Sequence, residues 1–136
     1  MADPRDPGRL LFLYGTLRPG GNAAGRLAGR GRWLGPTTTR GRLYRITYYP
    51  ALVGGDGVVR GDLFEMDDPA ALLPELDAYE GCGPGDAEPW EYRRAQIAVD
   101  SGGTGHAAWA YLYNWPVDES ARIESGDFLS DSRFRS

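Results

Sequence analysis

The chain has 136 residues and a formal net charge of −4, long enough to bury a hydrophobic core without disulfides or metal. All 15 basic residues are arginine, and with acids in excess there is no surplus positive charge to hold a phosphate backbone, which excludes nucleic acid as an expected partner. The longest uninterrupted apolar run, Ala107 to Tyr113, falls far short of the roughly 18 residues of a membrane span, so no membrane partner is expected either.

A hydrophobic content of 41%, with 20 glycines and 10 prolines, favours short strands joined by turns around a packed interior. One domain over 1–136 is expected, with 1–8 and about 129–136 flexible and a function that survives removal of the first eight residues. Met1 to Arg9 carries acids and prolines without the apolar centre of a secretory signal, so a cytoplasmic setting is expected. Cys82 is the sole cysteine and His106 the sole histidine; neither an internal disulfide nor a Cys/His zinc site can be assembled, and no metal is expected.

Taken in order, Leu10, Leu11, Phe12, Leu13 and Tyr14 form an unbroken apolar run that reads as a strand buried on both faces. It breaks into Gly15-Thr16-Leu17, where glycine would give the backbone a conformation closed to other residues and aim neighbouring amides into a common space. The same stretch also suits an ordinary core strand followed by a turn. Pro19 to Leu27 is glycine-rich but lacks the Lys and Ser/Thr of a nucleotide-phosphate loop, and reads as a mobile surface segment.

Trp33 and Leu34 open a second segment that continues as a strand through Arg40–Ile46. After Thr47–Val53, Gly54-Gly55-Asp56-Gly57 signals a turn before a strand over Val58–Met66. Gly61 within that strand suggests a bend or bulge that helps a sheet curl. Asp67 to Gly81 predicts the one helix, capped by Asp68, opened by Pro69 and stopped by Gly81, with Leu72, Leu73, Leu76 and Tyr79 on one face. Pro74 is expected to split it in two. Trp90–Asp100 and His106–Asn114 predict two strands joined by about five residues, the second alternating Ala108 and Ala110 with Trp109, Tyr111 and Tyr113. That aromatic face suits either a core or a cavity wall.

Glu80 stands out on physical grounds. It falls in the last turn of the helix, where the macrodipole disfavours a carboxylate by some tenths of a kcal/mol, so a compensating group is expected. Leu76 and Tyr79 make the surroundings apolar, which would raise its pKa and poise it for proton transfer near neutral pH; an exposed Glu beside a turn is the alternative. Ser125, His106 and Asp127 could be written as a triad, but no strained nucleophile motif surrounds Ser125. Cys82 has no visible base and reads as an inert thiol.

Tyr14-Gly15-Thr16-Leu17 and Leu76-Asp77-Ala78-Tyr79-Glu80-Gly81 together resemble the gamma-glutamylcyclotransferase-like family, which includes AIG2-like proteins and gamma-glutamylamine cyclotransferases. The resemblance runs from Leu10 to about Phe128 and takes in Tyr49-Pro50-Ala51-Leu52, Gly61-Asp62-Leu63-Phe64-Glu65, Tyr92-Arg93-Arg94, Ala108 to Tyr113 and Ser125-Gly126-Asp127. It implies an α+β fold, a small closed mixed β-barrel with one or two short helices packed against it. It also implies a cofactor-independent cyclotransferase that releases 5-oxoproline from a gamma-glutamyl amine or amino acid, with Glu80 as acid/base catalyst. Tyr14, Gly15, Thr16 and Leu17 would hold the glutamyl head, with Tyr113 a candidate hydrogen-bond partner. The expected partner is thus a small gamma-glutamyl molecule, with the protein a monomer or homodimer. Two other readings stay open: a non-catalytic metabolite-binding member of the same fold, and a protein-interaction barrel in which the Tyr14–Leu17 turn and Glu80 stand far apart.

Overall fold

The computed structural model describes residues 7–19, 21, 24–46 and 49–130. Most of the two stretches expected to be flexible, at 1–6 and 131–136, and parts of the glycine-rich segment and of the stretch following Ile46 (Gly20, Asn22, Ala23, Thr47, Tyr48) lie outside the described residues.

The strands are β1 (Leu10–Leu13), β2 (Gly31–Ile46), β3 (Tyr49–Met66), β4 (Tyr92–Ser101) and β5 (Thr104–Tyr113), with one helix, α1 (Pro69–Tyr79), between β3 and β4. They close into a barrel in the order β1-β3-β2-β4-β5. Closure is made by a parallel contact of β1 with β5, Leu11 opposite Trp109, while β1 pairs antiparallel with β3, Leu11 opposite Phe64. The sheet is therefore mixed and the fold α+β, as the sequence resemblance implied.

The unbroken apolar character of β1 follows from its position. Leu10 and Phe12 point into the barrel with Leu43, Leu52, Val59, Leu63, Ala108 and Ala110, while Leu11 and Leu13 face outward onto Leu72, Leu73 and Leu76 of α1. A strand covered on both sides has no position for a polar residue. The alanines of β5 fall on the interior face, where a five-stranded barrel has little room, and the interior is closed by Phe128, which is fully buried. At the inner edges of the two stretches expected to be flexible, Pro7–Arg9 and Phe128–Ser130 form 3-10 turns.

Three local expectations are corrected. Gly54–Gly57 does not end a strand; β3 runs on, with Arg42 opposite Val53 and Arg40 opposite Val58, so the glycine stretch bulges opposite Gly41 while β2 keeps both halves in line. Gly61 marks no bulge, since the register shifts lie at Trp33/Gly35 and Arg40/Arg42. It is needed because β1 crosses so closely that a Cβ there would meet the Leu13 carbonyl oxygen at 2.4 Å. The β4–β5 connection is shorter than expected: Ser101 pairs with Thr104, leaving Gly102 and Gly103 as a two-residue turn with φ of 62° and 88°, the signs a type I′ hairpin requires.

The helix is capped as expected: Asp68 Oδ1 accepts from the Ala71 N–H at 3.3 Å, Pro69 opens it, and Gly81 follows its end at φ 75°. Pro74 does not split it, and α1 is continuous. Pro74 and Ala70 are both exposed, so the Ala70 carbonyl that loses its partner is left to water, while the three leucines hold both halves to the barrel at about 1.5–3 kcal/mol each. Restoring the missing N–H by Pro74→Ala is expected to stabilise the fold by about 1–3 kcal/mol, read as a rise of several degrees in Tm; an unchanged or lower Tm would count against this account.

Candidate functional site

The site is built where β1 ends against the end of α1. Tyr14 leaves the strand almost fully buried, its hydroxyl donating to the Tyr111 carbonyl. Burial, with the Glu80 charge adding to it, pushes this phenol far above its usual range, so it remains a neutral fastener. Past it, the Arg18 N–H donates to the Gly15 carbonyl at 3.1 Å and closes the turn. The Arg18 guanidinium is clamped between Asp62, Nε to Oδ2 2.8 Å, and Asp127, Nη1 to Oδ1 2.7 Å. Among the described residues, the N–H groups of Gly15, Thr16 and Leu17 donate to no protein acceptor.

Gly15 is required for a different reason from the one expected. Its φ lies outside the left-handed region, but an added Cβ would lie 2.8 Å from Pro50 Cγ and 3.0 Å from Pro50 Cδ. Pro50 cannot easily retreat, because its carbonyl accepts from the Tyr92 hydroxyl at 2.6 Å.

Facing this turn, Glu80 caps the C-terminus of α1, its N–H bonded to the Leu76 carbonyl at 2.8 Å. The helix is pinned one turn earlier by Asp77, which accepts from Arg94 Nε at 2.8 Å and from the Tyr111 hydroxyl at 2.7 Å. Burial, with the negative charge of Glu91 adding to it, raises the Glu80 pKa from its ordinary 4.5 to about 7. The expected compensation for a carboxylate at a helix C-terminus is absent among the described residues: α1 has no basic residue in its last turn and no basic side chain lines the cavity. Tyr79 contributes less to desolvation than expected. Its side chain is 41% exposed, with the Arg26 guanidinium 4.0 Å from its ring centre.

Turn and carboxyl open onto one cavity of about 280 Å³ lined by Phe12, Leu13, Tyr14, Gly15, Thr16, Leu17, Tyr49, Pro50, Tyr79, Glu80, Glu91, Tyr92 and Tyr111. Five of the six candidate residues, Tyr14, Gly15, Thr16, Leu17 and Glu80, thus share a cavity, which overturns the reading that set the turn and Glu80 far apart. Tyr113 is the exception. It stands behind the wall, its ring edge-on to Tyr92 at 5.3 Å and its hydroxyl directed at Glu91. Tyr111, two residues earlier on the same face of β5, takes the lining position.

Glu91, Tyr49, Pro50 and Tyr92 were not singled out from sequence, whereas Tyr111 belongs to the aromatic face of β5 that suited a cavity wall. The family-like segments Tyr49–Leu52 and Tyr92–Arg94 contain three of them, but only barrel closure shows that these segments meet. The alternative chemistries find no support. The Ser125 hydroxyl is engaged locally with the Asp127 backbone and the Asp127 carboxylate is committed to Arg18, while burial pushes the Cys82 thiol up to about 11.

A closed barrel with a small, partly polar cavity, beside amides that donate to no protein acceptor among the described residues, has the form of a small-molecule site. Residues 11–130 match the family model described as gamma-glutamyl cyclotransferase, AIG2-like, and the chain belongs to that family. It is 34% identical over 126 residues to the gamma-glutamylcyclotransferase family protein YtfP of Escherichia coli, covering 88% of this chain and 95% of that one. The solution structure of E. coli ytfP superposes with a TM-score of 0.63 at 33% identity, over 89% and 96% of the two chains. The gamma-L-glutamyl-butirosin B gamma-glutamyl cyclotransferase of Niallia circulans is 31% identical over 111 residues, 76% of this chain and 66% of that one. A mouse AIG2-like protein shares the fold, with a TM-score of 0.69 at 20% identity over 88% and 87% of the chains.

Proposed function

We propose that the protein, acting as one domain without a cofactor, releases 5-oxoproline from a gamma-glutamyl amine or gamma-glutamyl amino acid. The observation that carries this reading is a carboxyl with a pKa of about 7 sharing a small cavity with the amides of Gly15, Thr16 and Leu17. An alpha-amino group has a pKa of about 8 and is protonated near neutral pH, so it must lose a proton before it can attack. Glu80 takes that proton. The alpha-nitrogen adds to the side-chain carbonyl carbon to close a five-membered ring, the bond to the departing nitrogen breaks as Glu80 returns the proton to it, and the second proton lost by the ring nitrogen passes to the released amine, which leaves as an ammonium.

Nucleophile and electrophile belong to one molecule, so the protein's main task is to hold the glutamyl unit folded; intramolecular reactions of this kind gain on the order of 7–11 kcal/mol at best. The unengaged amides of the turn suit the alpha-carboxylate or the developing oxyanion. With Glu80 as the base, kcat/KM should fall with acidification along a limb of apparent pKa about 7, because the protonated carboxyl cannot accept the amine proton. A rate profile flat from pH 5.5 to 8 would remove Glu80 from this role. The reading itself is tested by incubating the protein with gamma-glutamyl amines and amino acids and measuring 5-oxoproline. Binding of 5-oxoproline without turnover of any of them would select the non-catalytic binding member instead.

A further inference from the structure

The cavity holds a second carboxylate for which cyclisation has no use. Glu91 lines it with Glu80, accepts the Tyr49 hydroxyl at 3.0 Å and is faced by the Tyr113 hydroxyl, but forms no ion pair among the described residues. The charges of a gamma-glutamyl head are consumed elsewhere: on the proposed function, its ammonium meets Glu80 and its carboxylate or oxyanion meets the amides of the turn. Glu91 is left facing whatever the glutamyl unit is attached to.

Its surroundings suit a cation. Tyr49 is 37% exposed, which places this side of the cavity at its mouth, where a leaving group must project once the head lies on the floor. Tyr49 and Tyr92 lie 6.1 Å apart, Tyr92 and Tyr113 5.3 Å, and Tyr113 and Trp115 6.5 Å. These rings form a continuous aromatic band from the cavity to the exposed Trp115 indole. Aromatic faces and an unpaired carboxylate both attract ammonium groups and give nothing to an anion.

We propose that Glu91 is a specificity-determining residue that selects gamma-glutamyl conjugates whose leaving amine carries a second cationic group, as in a conjugate of a diamine, over neutral or carboxylate-bearing leaving groups. This rests on the proposed cyclotransferase reading for the placement of the glutamyl head, and it narrows that reading to one charge class of substrate.

The test compares three ligands on the full chain: gamma-glutamyl-1,4-diaminobutane, its uncharged counterpart gamma-glutamyl-pentylamine, and gamma-glutamyl-alanine. Affinity is read by titration calorimetry and turnover by 5-oxoproline release. The diamine conjugate is expected to bind at least tenfold more tightly than the pentylamine conjugate, with the alanine conjugate weakest. In Glu91→Gln, of the same size but without charge, the diamine preference should shrink to within about twofold, and raising the salt concentration should shrink it in the unaltered protein. Because each comparison is a ratio within one protein, a general loss of fold or affinity does not imitate the result. Equal binding of the diamine and pentylamine conjugates, or a preference that survives Glu91→Gln, overturns the proposal. The expected order of affinity without 5-oxoproline from any of the three would uphold the charge preference and overturn the cyclotransferase reading.

Discussion

Glu80→Gln is expected to lose 5-oxoproline release while gaining stability at alkaline pH. Gln keeps the length and hydrogen-bonding reach of Glu but cannot take the ammonium proton. General acid–base help is worth about 10² to 10⁴ in rate, and one carboxyl serving both proton transfers puts the loss toward the upper end. Glu80→Asp keeps the charge but withdraws it by one methylene and should also be severely impaired.

The stability effect follows from the same raised pKa. Below the ordinary value of 4.5 the Glu80 carboxyl is protonated in both folded and unfolded chains. Between there and about 7 the unfolded chain releases its proton while the folded protein keeps it, so stability falls as pH rises and levels off above the folded value. The cost is about 3 kcal/mol at about 1.4 kcal/mol per pKa unit. Glu80→Gln avoids it, so its Tm should exceed that of the unaltered protein at pH 8 and match it at pH 4. A Gln variant that still turns over a confirmed substrate at a comparable rate removes Glu80 from the chemistry. A Tm difference independent of pH removes burial of the charge as the cause.

The second large effect is expected from Gly15→Val. The new Cβ would lie within 3.0 Å of the Pro50 ring, which is held in place by the Tyr92 hydroxyl on its carbonyl. The turn must therefore move rather than its neighbour. The amides of Gly15, Thr16 and Leu17 would be displaced, and affinity for 5-oxoproline should fall by tenfold or more while the barrel still folds cooperatively. Gly15→Ala adds the clashing atom alone and should show most of the loss. Unchanged affinity in a folded Gly15→Val protein would place the ligand away from this turn.

The sequence by itself determined much of this protein. Apolar residues at every position from Leu10 to Leu13 required a strand covered on both sides, Asp68, Pro69 and Gly81 bounded the helix, and a carboxylate at that helix's end was anomalous whatever the fold. Local signals sufficed there because capping, turn chemistry and periodicity act over a few neighbours. They failed where distant chain segments decide. Pro74 sits in an unbroken helix because three leucines bind it to the barrel, and Gly54–Gly57 is a bulge because β2 spans it. Gly15 answers to Pro50, a contact made only when β1 and β3 pair. The same holds for the site: Glu80 was legible as a residue, but its pKa is set by burial and by Glu91 across the cavity, and the choice of Tyr111 over Tyr113 as wall depends on how far along β5 the barrel closes. These are matters of which segments meet in space, and pairing over such separations leaves no pattern in the local sequence.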